Sequence, residues 1–226
     1  MTDPYTYENG TLKNKLGIKD YDKLRQAEAN IGFIKLIDID SIKEPPKGIN
    51  MLQAIHKHIF EDIFDWAGEY RTVPIYKEEV VLPGLSIQYT YPKEIKKEVD
   101  KYIKELNNTD WLSMEFDDMC LKFAREMALL WKVHPFRDGN TRVTISYAYY
   151  LANKLGFPFD INTFISELDR VYIKGKIVQY SVRDKFVLAC LDEKDYPEVE
   201  HLAQLFKNAI LAYNQKENEQ TRGLHG

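Results

Sequence analysis

Apolar residues recur at spacings of three and four along most of the chain, which predicts a mainly helical protein. From Asp20 to Ile39 the stripe is Leu24, Ala27, Ile31, Ile34 and Ile37, and Glu44-Pro45-Pro46-Lys47-Gly48 breaks it. From Ile49 to Gly68, Leu52, Ile55, Ile59, Ile63 and Trp66 make a core face, and Gly68 fits a C-terminal cap. His56 and His58, two apart, point to different sides of this helix and read as surface or core-edge histidines. A third helix, Lys93 to Leu106, aligns Ile95, Val99, Ile103 and Leu106. The segment from Ser113 to Trp131 is apolar on more than one side, which places it near the centre. Another apolar helix follows from Thr141 and is stopped by Gly156 and Pro158. Two further helices are expected within 160–187 and one from Tyr196 to Tyr213, leaving the last dozen residues polar and loose.

The pattern changes over residues 69–92, which are rich in Val, Ile, Thr and Tyr and carry Pro74, Pro83 and Pro92. They predict a hairpin of two short strands, the only convincing strand signal in the chain. It serves either as a plain loop resting on the helices or as an open edge able to pair with an extended peptide.

Composition narrows the class. With 226 residues, 44% hydrophobic and 29% charged, the chain reads as a soluble globular protein. A net charge of −4 argues against a nucleic-acid backbone as the main partner. Cys120 and Cys190 lie inside apolar patterns and read as buried free thiols. No secretory signal and no run of roughly 18 apolar residues is visible, so a cytoplasmic protein without membrane contact is expected.

Between two of the predicted helices lies His134-Pro135-Phe136-Arg137-Asp138-Gly139-Asn140-Thr141-Arg142. A turn opening a helix leaves backbone N–H groups without intrahelical partners, and such an end attracts phosphate. Arg142 suits bidentate phosphate contact, Asp138 a hard cation, and His134 a base near neutral pH. The bland alternative is a simple helix link with Asn140 as N-cap.

This stretch resembles the signature of the Fic (filamentation induced by cAMP) family, H-x-F-x-(D/E)-G-N-(G/K)-R, at His134, Phe136, Asp138, Gly139, Asn140 and Arg142. Residues 10–20, G-T-L-K-N-K-L-G-I-K-D, resemble the N-terminal signature of stand-alone bacterial members, and residues 54–73 resemble their helix leading into a flap. The resemblance implies a Fic-type helical bundle with one β-hairpin flap over the active-site loop. It implies a Fic domain over 1–190, with its core at about 49–156 and flap at about 69–92, followed by a C-terminal helix and loose tail over 191–226. It further implies AMP transfer from ATP to a Ser, Thr or Tyr hydroxyl of a target protein. His134 would be the general base and Asp138 the Mg²⁺ ligand. Phe136 would anchor the loop, while Gly139, Asn140, Thr141 and Arg142 would cradle the nucleotide. Val73, Pro74, Ile75 and Tyr76 would dock the target.

Two positions depart from the family pattern. Thr141 stands where Gly is common, and Ile145 where a second arginine is usual. Phosphoryl or other nucleotide-group transfer to protein, as in divergent branches, and a weakly catalytic nucleotide-binding module therefore stay open. The family's inhibitory motif, (S/T)-x-x-x-E-(G/N), has no match within the chain: Leu168 follows Thr163 to Glu167, and Pro4 precedes Glu8-Asn9. With an N-terminal signature like that of antitoxin-restrained members, a toxin-like enzyme held by a separate small antitoxin protein is expected.

Overall fold

The structure, a computed structural model, describes residues 3–37, 39–42, 44–191 and 198–223. Its elements are α1 (Tyr21–Ile37), α2 (Met51–Phe60), α3 (Ile95–Asn108), α4 (Phe116–Val133), α5 (Asn140–Leu155), α6 (Ile161–Ile165), β1 (Val171–Ile173), β2 (Lys176–Gln179), α7 (Val182–Ala189) and α8 (Glu200–Gly223). The helical bundle is the expected one. Helix α4 buries residues on nearly every side, from Met119 to Val133, and packs against α3, α5, α7 and α8. An apolar all-round helix has no stable place except the middle of a bundle. Helix α2 bridges α1 and α5. In α1, Leu24 is buried, and so is Glu28 on the same side; the side chains of Ile34 and Ile37 lie outside the described residues.

Four expectations are corrected. Helix α2 ends at Phe60, not Gly68. It opens on a capping box between Asn50 and Gln53, and then folds back through turns that stack Phe64 on Trp66, 4.3 Å between ring centres. Gly68, at φ +86°, closes this return loop and donates its N–H to His56 Nδ1 at 2.8 Å. Residues 69–92 do reach the 134–142 loop but form no strand ladder. Three prolines lower the supply of ladder donors, and the side chain of Arg71 takes the carbonyls of Val73 and Thr90 at 2.8 and 2.5 Å.

The antiparallel hairpin lies instead at β1–β2, where two helices were expected, with Val171 facing Gln179 and Ile173 facing Lys176. Its turn is Lys174-Gly175, both at positive φ (49° and 76°), which matches the twist of a two-residue hairpin. Finally, the polar tail is helical. Helix α8 runs to Gly223, anchored by Leu202, Leu205, Phe206, Ala209 and Ile210 in the common core. Lys207 pairs with Asp117 at 2.6 Å, and Lys216 pairs with Asp160. The expected start of this helix at Tyr196, and residues 224–226 of the tail, lie outside the described residues.

Both cysteines are buried free thiols, their pKa values pushed up by burial to about 11 for Cys120 and about 12 for Cys190. No helix among the described residues is long and apolar enough to cross a membrane.

Phe206 meets the rings of Phe123, Phe159 and Phe164 at 5.0, 5.6 and 4.9 Å between centres. Phe206→Ala should therefore lower unfolding free energy by about 3–5 kcal/mol, measured by urea denaturation. A loss below about 0.5 kcal/mol, the range of surface changes, would detach α8 from the core.

Candidate active site at the turn between α4 and α5

Helix α4 ends on His134, which adopts the left-handed conformation at φ 50°, ψ 59° and returns its N–H to Trp131 O at 2.9 Å. A non-glycine residue there is uncommon and is held only by its surroundings. The ring is fully buried, stacked on Tyr89 at 4.1 Å and set edge-on to Trp131 at 5.0 Å. Its Nδ1 lies 3.3 Å from Trp131 O, which assigns the proton to Nδ1. Nε2, the lone-pair nitrogen of that tautomer, is buried and meets no hydrogen-bond partner among the described residues. Burial, then the positive charges of Lys77 and Arg183, hold the imidazole well below its ordinary pKa. At neutral pH His134 is an uncharged base with an open lone pair.

The loop that follows is held from three sides. Phe136 is buried, its ring stacked on His56 at 3.9 Å. Asn140 Oδ1 accepts the Phe136 N–H at 2.9 Å, and Asn140 Nδ2 donates to Phe136 O at 2.8 Å. The amide of Asn140 thus closes the loop upon itself, and the N-cap position belongs to Gly139. Gly139 sits at φ +77° with its Cα against the Phe60 ring; an added Cβ would fall 2.3 Å from that ring, so only glycine fits. Outside the loop, Arg137 grips Asp3 at 2.6 and 2.9 Å. Arg71 donates its backbone N–H to Pro135 O and its Nε to His134 O, both at 2.8 Å.

This leaves the start of α5 open. The first N–H groups of a helix have no acceptor within it, and here they start beside a cationic side chain. Arg142 lies over the Phe60 ring at 4.6 Å and pairs with Glu28 at 3.1 Å. Asp138 lies 3.5 Å from Lys77 and 3.8 Å from Arg142. Burial pushes the Asp138 carboxyl up, but Lys77 and Arg142 outweigh it and keep it ionised below the usual range. Thr141 Oγ1 accepts the Trp131 indole N–H at 3.0 Å, so the side chain at this departure from the family pattern is tied back to α4. Ile145, at the other departure, is 5% exposed and part of the core.

Residues 48–152 match the family model described as Fic/DOC family. The chain carries a Fic/DOC-family domain. It is similar to the protein adenylyltransferase VbhT of Bartonella schoenbuchensis, 29% identical over 160 residues, 70% of this chain and 32% of that protein. It is likewise similar to the probable protein adenylyltransferase Fic of Escherichia coli, 29% identical, covering 61% of this chain and 66% of that one. The chain thus spans about a third of VbhT and just under two thirds of the E. coli relative. Among solved structures, BepC from Bartonella tribocorum with bound AMPPNP overlays at TM-score 0.65 with 24% identity, covering 91% and 95% of the two chains. The N-terminal Fic domain of Bep8 from Bartonella sp. 1-1C overlays at 0.67 with 21% identity, covering 91% and 93%. These overlays establish a Fic-domain fold.

The Fic domain brings His134, Asp138, Gly139, Thr141 and Arg142 to one turn, as the motif implied, while the side chains of Phe136 and Asn140 hold the loop. Val73, Pro74, Ile75 and Tyr76 lie on the first arm of the 69–92 segment, where accessibility alternates from Val73 to Lys77 and Tyr76 is 73% exposed.

Sequence reasoning missed four participants. His56, expected near the surface, is buried and donates from Nε2 to Asp138 O at 3.3 Å. Arg71 and Lys77 come from the flap segment, and Glu28 from α1, outside the matched residues. A lone acid on an otherwise apolar stripe was the available signal for Glu28.

Two outcomes follow. Glu28 occupies the Arg142 guanidinium that a phosphate would need, so Glu28→Gln should tighten nucleotide binding roughly tenfold by calorimetry; weaker binding would make Glu28 a support for Arg142. His56 falls from its ordinary 6.5 to about 3, chiefly through burial. Below about 6.5 the unfolded chain takes up a proton that folded His56 refuses, so stability drops as pH falls from 6.5 towards 3. Urea midpoints at pH 7 and pH 5 should show the decline.

Proposed function

We propose that this chain is a protein adenylyltransferase that moves AMP from ATP to a Ser, Thr or Tyr hydroxyl of a target protein. The observation that carries this reading is the uncharged His134 with its open Nε2, placed one short loop before a cationic helix start. The printed names of the relatives support it.

In this reading the target hydroxyl gives its proton to His134 Nε2 as its oxygen attacks the α-phosphorus. The bond from the α-phosphorus to the β-phosphate oxygen breaks, and pyrophosphate leaves. Orientation of the base comes from Trp131 O at Nδ1 and from the Tyr89 stack. The backbone N–H groups at the start of α5, with Gly139 allowing close approach, would hold phosphate oxygens, and Arg142 would grip the outer phosphates.

A Mg²⁺ ion suits Asp138: Mg²⁺ is commonly held by one carboxylate together with substrate phosphates. Among the described residues no group of three or more acids, histidines or cysteines forms a metal cluster without substrate. Bound there, the ion would offset charge developing on the phosphates.

The target would dock along Val73, Pro74, Ile75 and Tyr76, a stretch with strand-like alternation and no ladder partner among the described residues, by strand addition. We place the reaction in the cytoplasm, where ATP is available, and read the enzyme as toxin-like and restrained by a separate small antitoxin. The likeness of residues 10–20 to the N-terminal signature of antitoxin-restrained members supports the last point, and Glu28 on Arg142 is the internal contact an antitoxin would supplement.

Incubation with α-³²P-ATP should label a target band, whereas γ-³²P-ATP should not. Label from the γ position alone would replace this reading with phosphoryl transfer. His134→Ala should lower transfer about 10²–10⁴-fold with nucleotide affinity nearly unchanged. Because the base is held neutral, wild-type transfer should keep its pH 7 rate below the ordinary histidine value near 6.5; a loss of rate centred on that value would remove the environment assigned to His134.

A further inference from the structure

We propose that Arg183, on α7 and outside the matched Fic segment, is a positioning residue for His134, acting through Glu79, Tyr89 and Trp131. The inference rests on the reading of His134 as the base. His134 touches two aromatic neighbours, Tyr89 on its face and Trp131 at its edge. Arg183 reaches both. Its guanidinium lies over the Trp131 ring at 5.4 Å, and its Nη2 donates to the Tyr89 hydroxyl at 3.1 Å. The Tyr89 hydroxyl in turn donates to Glu79 Oε1 at 2.7 Å. Arg183 completes the triangle with Nη2 to Glu79 Oε1 at 2.5 Å and Nε to Oε2 at 3.2 Å.

Glu79 is 1% exposed, and a carboxylate so buried is stable only when its oxygens are matched. Here Arg183 matches both, which fixes the carboxylate, which fixes the Tyr89 hydroxyl, which fixes the ring stacked on the base. Arg183 is itself anchored by the start of α7. Ser181 and Asp184 form a capping box there, and Arg170 pairs with Asp184 at 2.6 Å.

The linkage joins three parts of the chain: the distal part of the flap segment through Glu79 and Tyr89, the end of α4 through Trp131, and α7. The charged groups facing His134 are Lys77 and Arg71 from the flap segment and Arg183 from α7, all cations, with Tyr89 as the neighbouring phenol. Removing Arg183 therefore removes one of three charges disfavouring the imidazolium as well as the tether on Tyr89. A merely structural flap anchor would alter stability without altering the state of the His134 ring.

The test is ¹⁵N and ¹³C NMR of the His134 ring in the full, nucleotide-free chain, alongside transfer kinetics, for wild type, Arg183→Met, Arg183→Lys and Tyr89→Phe. In Arg183→Met we expect the ring to titrate at higher pH and its single-tautomer signals to broaden. Transfer should fall about 10–100-fold in kcat with nucleotide affinity unchanged. Arg183→Lys should restore the wild-type titration but not the rate, because a point charge cannot serve Glu79 at two atoms and lie flat on Trp131. Tyr89→Phe keeps the charges and removes only the hydroxyl, so it should broaden the ring signals without moving the titration. If Arg183→Met does not fold, Tyr89→Phe decides alone. His134 signals, titration and kcat identical to wild type in these variants would overturn the proposal. If wild type transfers nothing, the functional reading fails, while the ring signals still decide whether Arg183 positions His134.

Discussion

The active-site turn depends on one buried guanidinium. Arg71 is 2% exposed and has no carboxylate partner among the described residues; its donors go to the carbonyls of His134, Val73 and Thr90, with a longer contact of 3.5 Å to Val133 O. Burying a charge this way is costly unless every donor is matched, and only the planar fork of arginine can reach three carbonyls in different directions. Burial lowers its pKa to about 10, which leaves it charged at neutral pH. One side chain thereby links both arms of the flap segment to the left-handed residue that carries the base. Without it the arms would need a backbone ladder, which Pro74 and its neighbouring prolines disfavour.

The second constraint is electrostatic. The chain is net negative, yet Arg71, Lys77, Arg142 and Arg183 converge on the turn. Burial first, then Lys77, Arg183 and Arg71, holds His134 neutral, while Lys77 and Arg142 keep Asp138 ionised against its burial, so a base and an anion coexist within one short loop. A site with this surplus favours polyanionic ligands and disfavours cationic ones. Glu28 and Glu79 each moderate one arginine, Arg142 and Arg183 respectively, and both arrive from outside the loop.

What the sequence revealed and what it hid divide along physical lines. Helices with strong apolar periodicity, α3, α4 and α5, lie close to where their patterns put them, because burial and periodicity report the same property. Two strand assignments failed for opposite reasons. Residues 69–92 have strand composition, but a side chain took the carbonyls that a ladder would use. Residues 171–179 carry a two-residue Lys-Gly turn between β-branched and aromatic residues, a hairpin signal inside a span that is expected to hold two helices. The motif made the loop legible as one turn between two helices that carries His134, Asp138 and Arg142. It could not reveal Arg71, Lys77, Glu28 or Arg183, since each reaches the loop across long sequence separations and nothing local marks its destination. Asn140 was legible as a residue but not in its role, because only the fold shows both ends of its amide engaged by Phe136.

The departures at Thr141 and Ile145 fit the surroundings they meet. A hydroxyl at 141 gives the Trp131 indole N–H an acceptor, and the same indole carries Arg183 over its ring and packs perpendicular to His134. Thr141 is thereby tied, through Trp131, to the residues that surround the His134 ring. Ile145 lies in the common core, where an arginine would have to bury a guanidinium without the matched carbonyls that Arg71 enjoys. Within the motif this leaves Arg142, which Glu28 meets at 3.1 Å and Asp138 at 3.8 Å. Because one of these acids is Glu28, the first helix, which lies outside the matched residues, contributes a buried charge to the turn.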